Sequence, residues 1–592
     1  MKTKNTYPLT PNAHTLAPRA AGMTLIEVLF TIGVILVAFV GIFSLFVVSI
    51  SVVTTAKARA GALALASERI EQIRALPYEE VGTAGGIPSG SLAQTETLSL
   101  NNLSYTRRTL IQYVDDPADG VGAADQTGIS ADYKHVKVEV VWSYKDSQRE
   151  FSSVTNIVPK GIESLSGGGT LRIQVFDALA APIQDASVRI INTAGTPSID
   201  VTTYTDGTGS VVFPGTPAQS GYEVVVSKSG YSSAKTYAAT VSNPNPNPGH
   251  LSVAQSQTTS ASFFIDRVAS LSVRTWKPIE QETWSDPLDD DLGLTSMSST
   301  TVSGGTLTLQ SGEISGSARA TSTAPAYLSS WVSASFSSNT PGGTGAIVRV
   351  YSVANGVYTL LPDGVLPANS GGFTSSPINL SAVSTSTYPE LALSASFTSP
   401  DGSTLPSLEQ WTITYDKGPT PLPNIAFTMQ GAKTIGTDAG GANIYKFSQS
   451  LTSGSSAAFA STTIEWDTYG ISVNGAAEGY DISEACAPLP LSVLPNGSVG
   501  LDLYFLAHTN NSVRITVKDA TSGVPLSGAS VHLTKIGFDN TKNTSACGQA
   551  FWSDIGAESY NANISKAGYQ TISNFLVDVS GASSATVSLT PL

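Results

Sequence analysis

Glu27 is the one ionisable side chain between Arg19 and Lys57. A carboxylate in the middle of an apolar helix costs about 2.5–3.5 kcal/mol on insertion scales, so it ordinarily has a function and a partner. The competing placement is at headgroup level, where it is merely tolerated. Two cysteines, Cys486 and Cys547, exclude a disulfide-dense scaffold and a four-cysteine zinc site but leave one bridge. Asp115, Asp116, Asp119, Asp125 and Asp132 crowd one stretch. Carboxylates so spaced could hold a calcium ion or could form an ordinary acidic surface loop. A second cluster, Asp286, Asp289, Asp290 and Asp291, reads better as a solvated loop than as a weak cation site. The five histidines (His14, His135, His250, His508 and His532) are scattered. No nucleophile–base pair, phosphate loop or metal spacing stands out, so neither enzyme activity, a metal nor a cofactor is expected.

The elements around these residues follow from composition. The 592 residues leave room for about four domains. Charged residues are 13% of the chain, against roughly 25% in an average soluble protein. With 53 Gly and 32 Pro the chain is poor in helix formers and rich in turn formers, as many-stranded β proteins are. A formal charge of −14 argues against nucleic acid as a partner. Val28–Ala56 carries no charge and, as a helix, would be roughly 43 Å long. That exceeds the roughly 30 Å hydrocarbon core. A secretory signal would have a shorter apolar region, about 7–15 residues, ending in an Ala-x-Ala-like site. Lys2, Lys4 and Arg19 before the span, against Lys57 and Arg59 after it, vote weakly for a cytoplasmic N-terminus. Helix formers continue through Ala56–Leu76, with Leu63, Ile70 and Ile73 on one stripe and Glu68, Arg69, Glu71 and Arg74 elsewhere, until Pro77.

The string Ala21-Gly22-Met23-Thr24-Leu25-Ile26-Glu27-Val28 resembles the type IV pilin and pseudopilin N-terminus. That pattern is a basic leader ending in Gly, an apolar first mature residue and Glu at the fifth mature position. Met23 stands where Phe is commoner in that family, and the leader is long. The resemblance implies that a prepilin peptidase cuts after Gly22 on the cytoplasmic side. It also implies that Met23 becomes the N-methylated terminus and that Glu27 attracts that amine on a neighbouring pilin subunit. A buried carboxylate and ammonium would each offset the other's desolvation, favouring assembly over lone subunits. Leu65–Tyr78 looks like the helix end of minor pilins and minor pseudopilins.

Beyond the helix the chain reads as mainly β, a pilin-like head followed by a string of β-sandwiches. The expected boundaries are 1–22 leader, 23–77 transmembrane and stalk helix, 78–160 head, 168–268 sandwich, 269–416 jelly-roll-like sandwich, 424–508 degenerate repeat and 509–592 final sandwich. In the head, Val136, Val138, Val140 and Trp142 share one strand face, and Tyr105–Val114 makes a partner. Gly167–Gly169 reads as a linker. The repeat is carried by Leu171, Ile173 and Val175 followed by Pro182-Ile183-Gln184-Asp185-Ala186-Ser187-Val188. Val513, Ile515 and Val517 followed by Pro525-Leu526-Ser527-Gly528-Ala529-Ser530-Val531 repeat it, and both units end in Ser-Lys-x-Gly-Tyr. A degenerate copy starts at Ile425, Phe427 and Met429. These units resemble the carboxypeptidase regulatory-like, or Cna-B-like, domain, a small transthyretin-like sandwich. The resemblance implies an accessory module, not peptidase chemistry: no histidine has Glu three residues on. The Lys, Asn and buried acid of the isopeptide bond in some Cna-B relatives cannot be placed on matching strands here. Asn243–Gly249 reads as a stiff extended segment and Lys417–Asn424 as a separator.

Cys486, just before Pro488 and Pro490, and Cys547, beside Gly548, both look like loop residues. They are a candidate disulfide between adjacent modules outside the cytoplasm; the other reading is two unpaired core cysteines. The leading functional expectation is a minor type IV pilin, held through its helix in the inner membrane and then the fibre. It would be sparse in the fibre or at its tip and would present modules for adhesion to a host or environmental surface, or for spacing. The alternatives are a pseudopilin of a secretion or DNA-uptake machine and a surface adhesin on an uncleaved membrane helix.

Overall fold

The structure, a computed structural model, describes residues 25–116, 118, 131–144, 147–160, 168–487 and 489–592, without the side chains of residues 26–28. It is mainly β, with one long apolar helix leading into many β-sheets. The described residues form two compact units. One comprises those up to Val175 with Pro182–Val224 and Leu251–Ser262, and the other Phe176–Ala181, Val225–His250 and Phe263–Leu592.

In the first unit, helix α1 runs from Leu25 to Arg74. Its side chains are exposed and apolar from Leu29 to Val53, and that stretch is long and apolar enough to cross a membrane. Further along, Ala58, Ala62, Ala66, Ile70 and Ile73 are buried. Their three- and four-residue spacing makes one stripe, and the alanines let the helix lie close to a sheet. Leu63, expected on that stripe, falls on its flank and is 49% exposed. Arg69, expected outside it, lies within it and is buried. The sheet is an antiparallel meander of β1 (Thr95–Leu100), β2 (Leu103–Val114), β3 (Tyr133–Tyr144) and β4 (Ser147–Ile157). Val136, Val138, Val140 and Trp142 of β3 face the helix, as their alternation requires, and Tyr105 of β2 pairs with Trp142. Gly168 and Gly169 do not form a free linker: Gly169–Phe176 is already the first strand of the next sandwich.

Each sandwich repeat follows one scheme. In the last one, first strand Ser512–Asp519 lies between Gln549–Ser553, antiparallel, and Ala582–Leu589, parallel. A second sheet of four strands covers it, with Val513, Ile515, Val517, Val531 and Leu533 in the core between them. In the degenerate repeat the first strand is not the one that the sequence suggests. Ile425, Phe427 and Met429 belong to the second-strand position, pairing with Ser448–Thr452 and Asp467–Ser472. The first strand is Ala269–Lys277, which lies between Ala458–Ile464, antiparallel, and Ser498–Ala507, parallel. Its Leu271 and Val273 are buried in the same core as Phe427, Tyr469 and Leu503. The strand expected to open the jelly-roll-like sandwich therefore completes the third sandwich instead.

The sandwich expected at 269–416 is an insertion into that third sandwich. The chain enters along Ala269–Lys277 and Glu280–Asp286, and it leaves along Ser407–Lys417 and Thr420–Pro421. Glu280 pairs with Lys417, Lys277 with Thr420 and Trp276 with Pro421, so entry and exit form one two-stranded stem. The expected separator at Lys417–Asn424 is thus half of that stem. Two sheets enclose the insertion's core around Trp331, Trp411, Phe397 and Leu393. Asn243–Gly249 is likewise not a free spacer, because Asn245–Pro246 pairs with Thr434–Thr437 of the third sandwich.

Candidate functional site

The sequence places its sharpest signal at the start of α1. Gly22 and Met23 lie outside the described residues; Glu27 lies in the helix backbone, its side chain not described. The far end of the helix is fastened to the head by polar groups. Arg69 and β2 Arg107 both pair with Glu96 of β1 (Arg107 Nε at 2.9 Å). Arg107 also donates to the Leu65 carbonyl at 2.9 Å. Burial pushes both guanidinia below their ordinary value. Tyr105 donates its hydroxyl to the Ala58 carbonyl at 3.0 Å, against Gly61, where a Cβ would lie 2.6 Å from that oxygen. Lys134, 1% exposed, donates to the Tyr78 and Val81 carbonyls at 2.8 and 3.0 Å and so ties the turn after the helix to β3. Hydrophobic patterning gave no sign of these buried charges; the excess of Arg and Glu on the helix end was the available signal.

The two cysteines meet. Cys486 and Cys547 form a disulfide with Cα atoms 5.1 Å apart, joining the third sandwich to the last. Cys547 is in a turn, but Cys486 is the last residue of strand Tyr480–Cys486 rather than a loop residue. Beside the bridge, Gln549 grips Ala485 through both backbone groups: its Nε2 donates to the carbonyl at 3.0 Å and its Oε1 accepts from the amide at 2.8 Å. Ser545 donates to Glu484. Glu484, Cys486 and Cys547 bring three metal-ligating residue types together, but both sulfurs are committed to each other. At the far edge of this joint Asp481 is buried, accepting from Thr509 N and Ser512 Oγ at 3.2 Å each and lying 2.8 Å from His508 Nδ1. Arg514 lines a small cavity there. It donates only a long 3.4 Å bond to the Ile482 carbonyl, its Nε has no partner, and burial lowers its pKa to about 10.

A larger cavity, about 280 Å³, lies in the first unit between the outer face of the head sheet and strand Ile199–Tyr204. Charges of both signs line it in a chain. Arg108 is 3.2 Å from Glu139, and Lys137 is 3.9 Å from Glu139 and 3.6 Å from Asp185. Of the acidic cluster after β2, Asp119 and Asp125 lie outside the described residues. Asp132 accepts from the Asp116 amide at 2.6 Å, and Asp115 lies 3.9 Å from Arg172. In the second cluster Asp286 is a structural residue, accepting from Trp411 Nε1 at 3.1 Å and Leu288 N at 3.0 Å, while Asp289, Asp290 and Asp291 are exposed. His135, His250 and His532 bond to separate partners, Asn156, Thr236 and Asp539.

The repeats are thus two-sheet sandwiches built on a central first strand. Residues 170–259 match the family model of the carboxypeptidase regulatory-like domain, about one sixth of the chain. No curated protein matches the chain. Among solved structures the chain is similar to the TIE protein of Bacillus anthracis (11% identity, 84% of this chain, 73% of that one, TM-score 0.14). It is also similar to GBS52, a minor pilin of Streptococcus agalactiae (11% identity, 30% of this chain, 86% of that one, TM-score 0.13). BcpA, the major pilin subunit of Bacillus cereus, gives 9% identity, 72% and 100% coverage and a TM-score of 0.12. Superpositions at these TM-scores carry no argument about this chain.

Proposed function

We propose that this chain is a minor type IV pilin-like subunit, held in the inner membrane and then in a pilus by α1, which carries β-sandwich modules outward for adhesion or spacing. The observation that carries this reading is the Gly22–Glu27 motif at the head of a helix whose first half is apolar and exposed and whose second half packs on a four-stranded sheet. An apolar helix of that exposure needs a lipid or protein environment. Prepilin peptidase would cut after Gly22, Met23 would be N-methylated, and Glu27 would pair with the terminal amine of a neighbouring pilin. The chain would act as a binding and spacing element rather than an enzyme. Its modules would crowd a fibre if every subunit bore them, so it would be sparse or at the tip.

Mass spectrometry of the N-terminus of protein recovered from cells tests the reading. Mature protein beginning at N-methylated Met23 supports it. An intact leader assigns the chain instead to surface proteins on an uncleaved membrane helix. Glu27→Ala separates processing from assembly: cleavage should continue, while incorporation into fibres should fall. Normal incorporation of that variant would show the carboxylate to be incidental.

A further inference from the structure

The outer face of one sheet of the inserted sandwich carries two arginines, Arg319 and Arg349. Cross-strand register sets Ser296, Arg319, Ser394 and Arg349 in one row across four neighbouring strands. The alternate residues Ala318, Ala395, Val348 and Val350 face the core, so this row faces outward. Two strand spacings separate Arg319 from Arg349, ~10 Å at Cα. Among the described residues neither makes an ion pair, in a chain where Arg107, Arg108, Arg189 and Arg274 all do.

Both side chains are held in place by other means. The Arg319 guanidinium lies 4.9 Å from the Tyr351 ring centroid and 4.7 Å from that of Tyr358, and its Nε has no hydrogen-bond partner. Ala392, a small residue of the intervening strand on this same face, is fully buried, so the layer lies flat on the sheet. Arg349 is fixed by the Ser370 carbonyl at 3.2 Å, the Ser396 hydroxyl at 3.3 Å and the Gly371 carbonyl at 3.4 Å. Stacking and carbonyl bonds hold a guanidinium without cancelling its charge. Two like charges fixed on one face repel each other and are stabilised by an anion from outside. Ordering them beforehand reduces the entropy lost on binding.

We propose that this face binds an acidic polysaccharide, a sugar chain bearing carboxylates, with Arg319 and Arg349 each taking one carboxylate. Charge density favours a uronate chain over nucleic acid. Phosphates recur about every 3.4 Å along a strand, and a chain of net charge −14 repels so dense a polyanion. One carboxylate per sugar is a sparser pattern that suits two cations set apart. The exposed hydroxyls of Ser296 and Ser317 beside the arginines suit sugar hydroxyls. This names a ligand for the adhesive part of the proposed function and rests on that part alone. Processing is read at Met23 and binding at this face, so either can fail without the other.

The test titrates the purified full-length protein in detergent with polygalacturonate, with dextran as the neutral control and single-stranded DNA as the dense polyanion. Polygalacturonate should bind, more weakly as salt rises, and dextran should not. Arg319→Gln and Arg349→Gln should each weaken it about tenfold or more, the loss of a charge-assisted hydrogen bond. Ser317→Glu alters an exposed residue of the same face, so it should weaken binding without touching the core. Absence of binding, binding that Ser317→Glu and Arg349→Gln leave unchanged, or DNA binding as tight as that of polygalacturonate would each overturn the proposal.

Discussion

Two joints between domains, one in each compact unit, are built to opposite designs. The head meets the first sandwich across a cavity bridged by Lys137–Asp185 and the Gln94 amide on the Thr202 carbonyl, with Arg172–Asp115 as a further ion pair between the two. The third sandwich meets the last through a disulfide and a doubly bonded glutamine. Arg172 and Arg514 occupy the same place in their repeats, after the first core residue of the first strand (Leu171, Val513), and both reach back to the preceding domain. Arg172 meets a carboxylate there, whereas Arg514 meets only a carbonyl. One repeat position thus serves an ionic joint in one place and makes only a long carbonyl bond where a disulfide joins the domains.

The largest blow to the second joint should come from Cys547→Ser. Opening a loop closed at a sequence separation of 61 should cost about 4 kcal/mol on the chain-entropy model. Hydrogen exchange should then speed up in Ser512–Asp519 and Gln549–Ser553, while exchange in the head stays as it was. Gln549→Ala should cost less, about 1–3 kcal/mol, because it strands both backbone groups of Ala485 in a buried place. The same exchange measurement reads it. Arg514→Met should act in the other direction and stabilise the last sandwich by about 1 kcal/mol at neutral pH, since it removes a buried cation without a counter-charge. Arg514 titrates at about 10 in the folded state, below its unfolded value. The wild type should therefore gain stability as pH climbs through 10, where the folded chain can shed the proton and the unfolded chain cannot, and the variant's advantage should shrink there. Lys137→Gln should be the mildest, under about 1 kcal/mol, and its effect on the first joint should vanish at high salt. An equal effect of salt on both joints would erase the contrast between them.

Much of the architecture was legible where residues act on near neighbours. The uncharged run through Val28–Ala56, the alternation at Val136–Trp142 and the two intact repeats all produce local signals, and the elements lie where these signals put them. The split repeat was not legible, because Ala269–Lys277 reads as a strand but nothing in its alternation says which sheet it joins. Its partners, Ser498–Ala507, stand more than 200 residues away. Arg69 sits on the packed side of α1, where a rule equating charge with exposure does not put it. Glu96, on another strand, is what makes its burial tolerable. The arginine pair of the inserted sandwich was hidden for the same reason, as it exists only through the row Arg319–Ser394–Arg349.

The stem of the insertion has a mechanical consequence. A pull on the inserted sandwich reaches the third sandwich by two strands of unequal grip. Thr420–Pro421 is held by a short pairing at one end of that strand, extended only by the bonds between Leu422 and Thr275. Ala269–Lys277 is clamped along its length on both sides, so tension along it runs parallel to the strand and must shear many bonds together. Load that enters through the middle strand of a sheet meets the sheet where it resists force best.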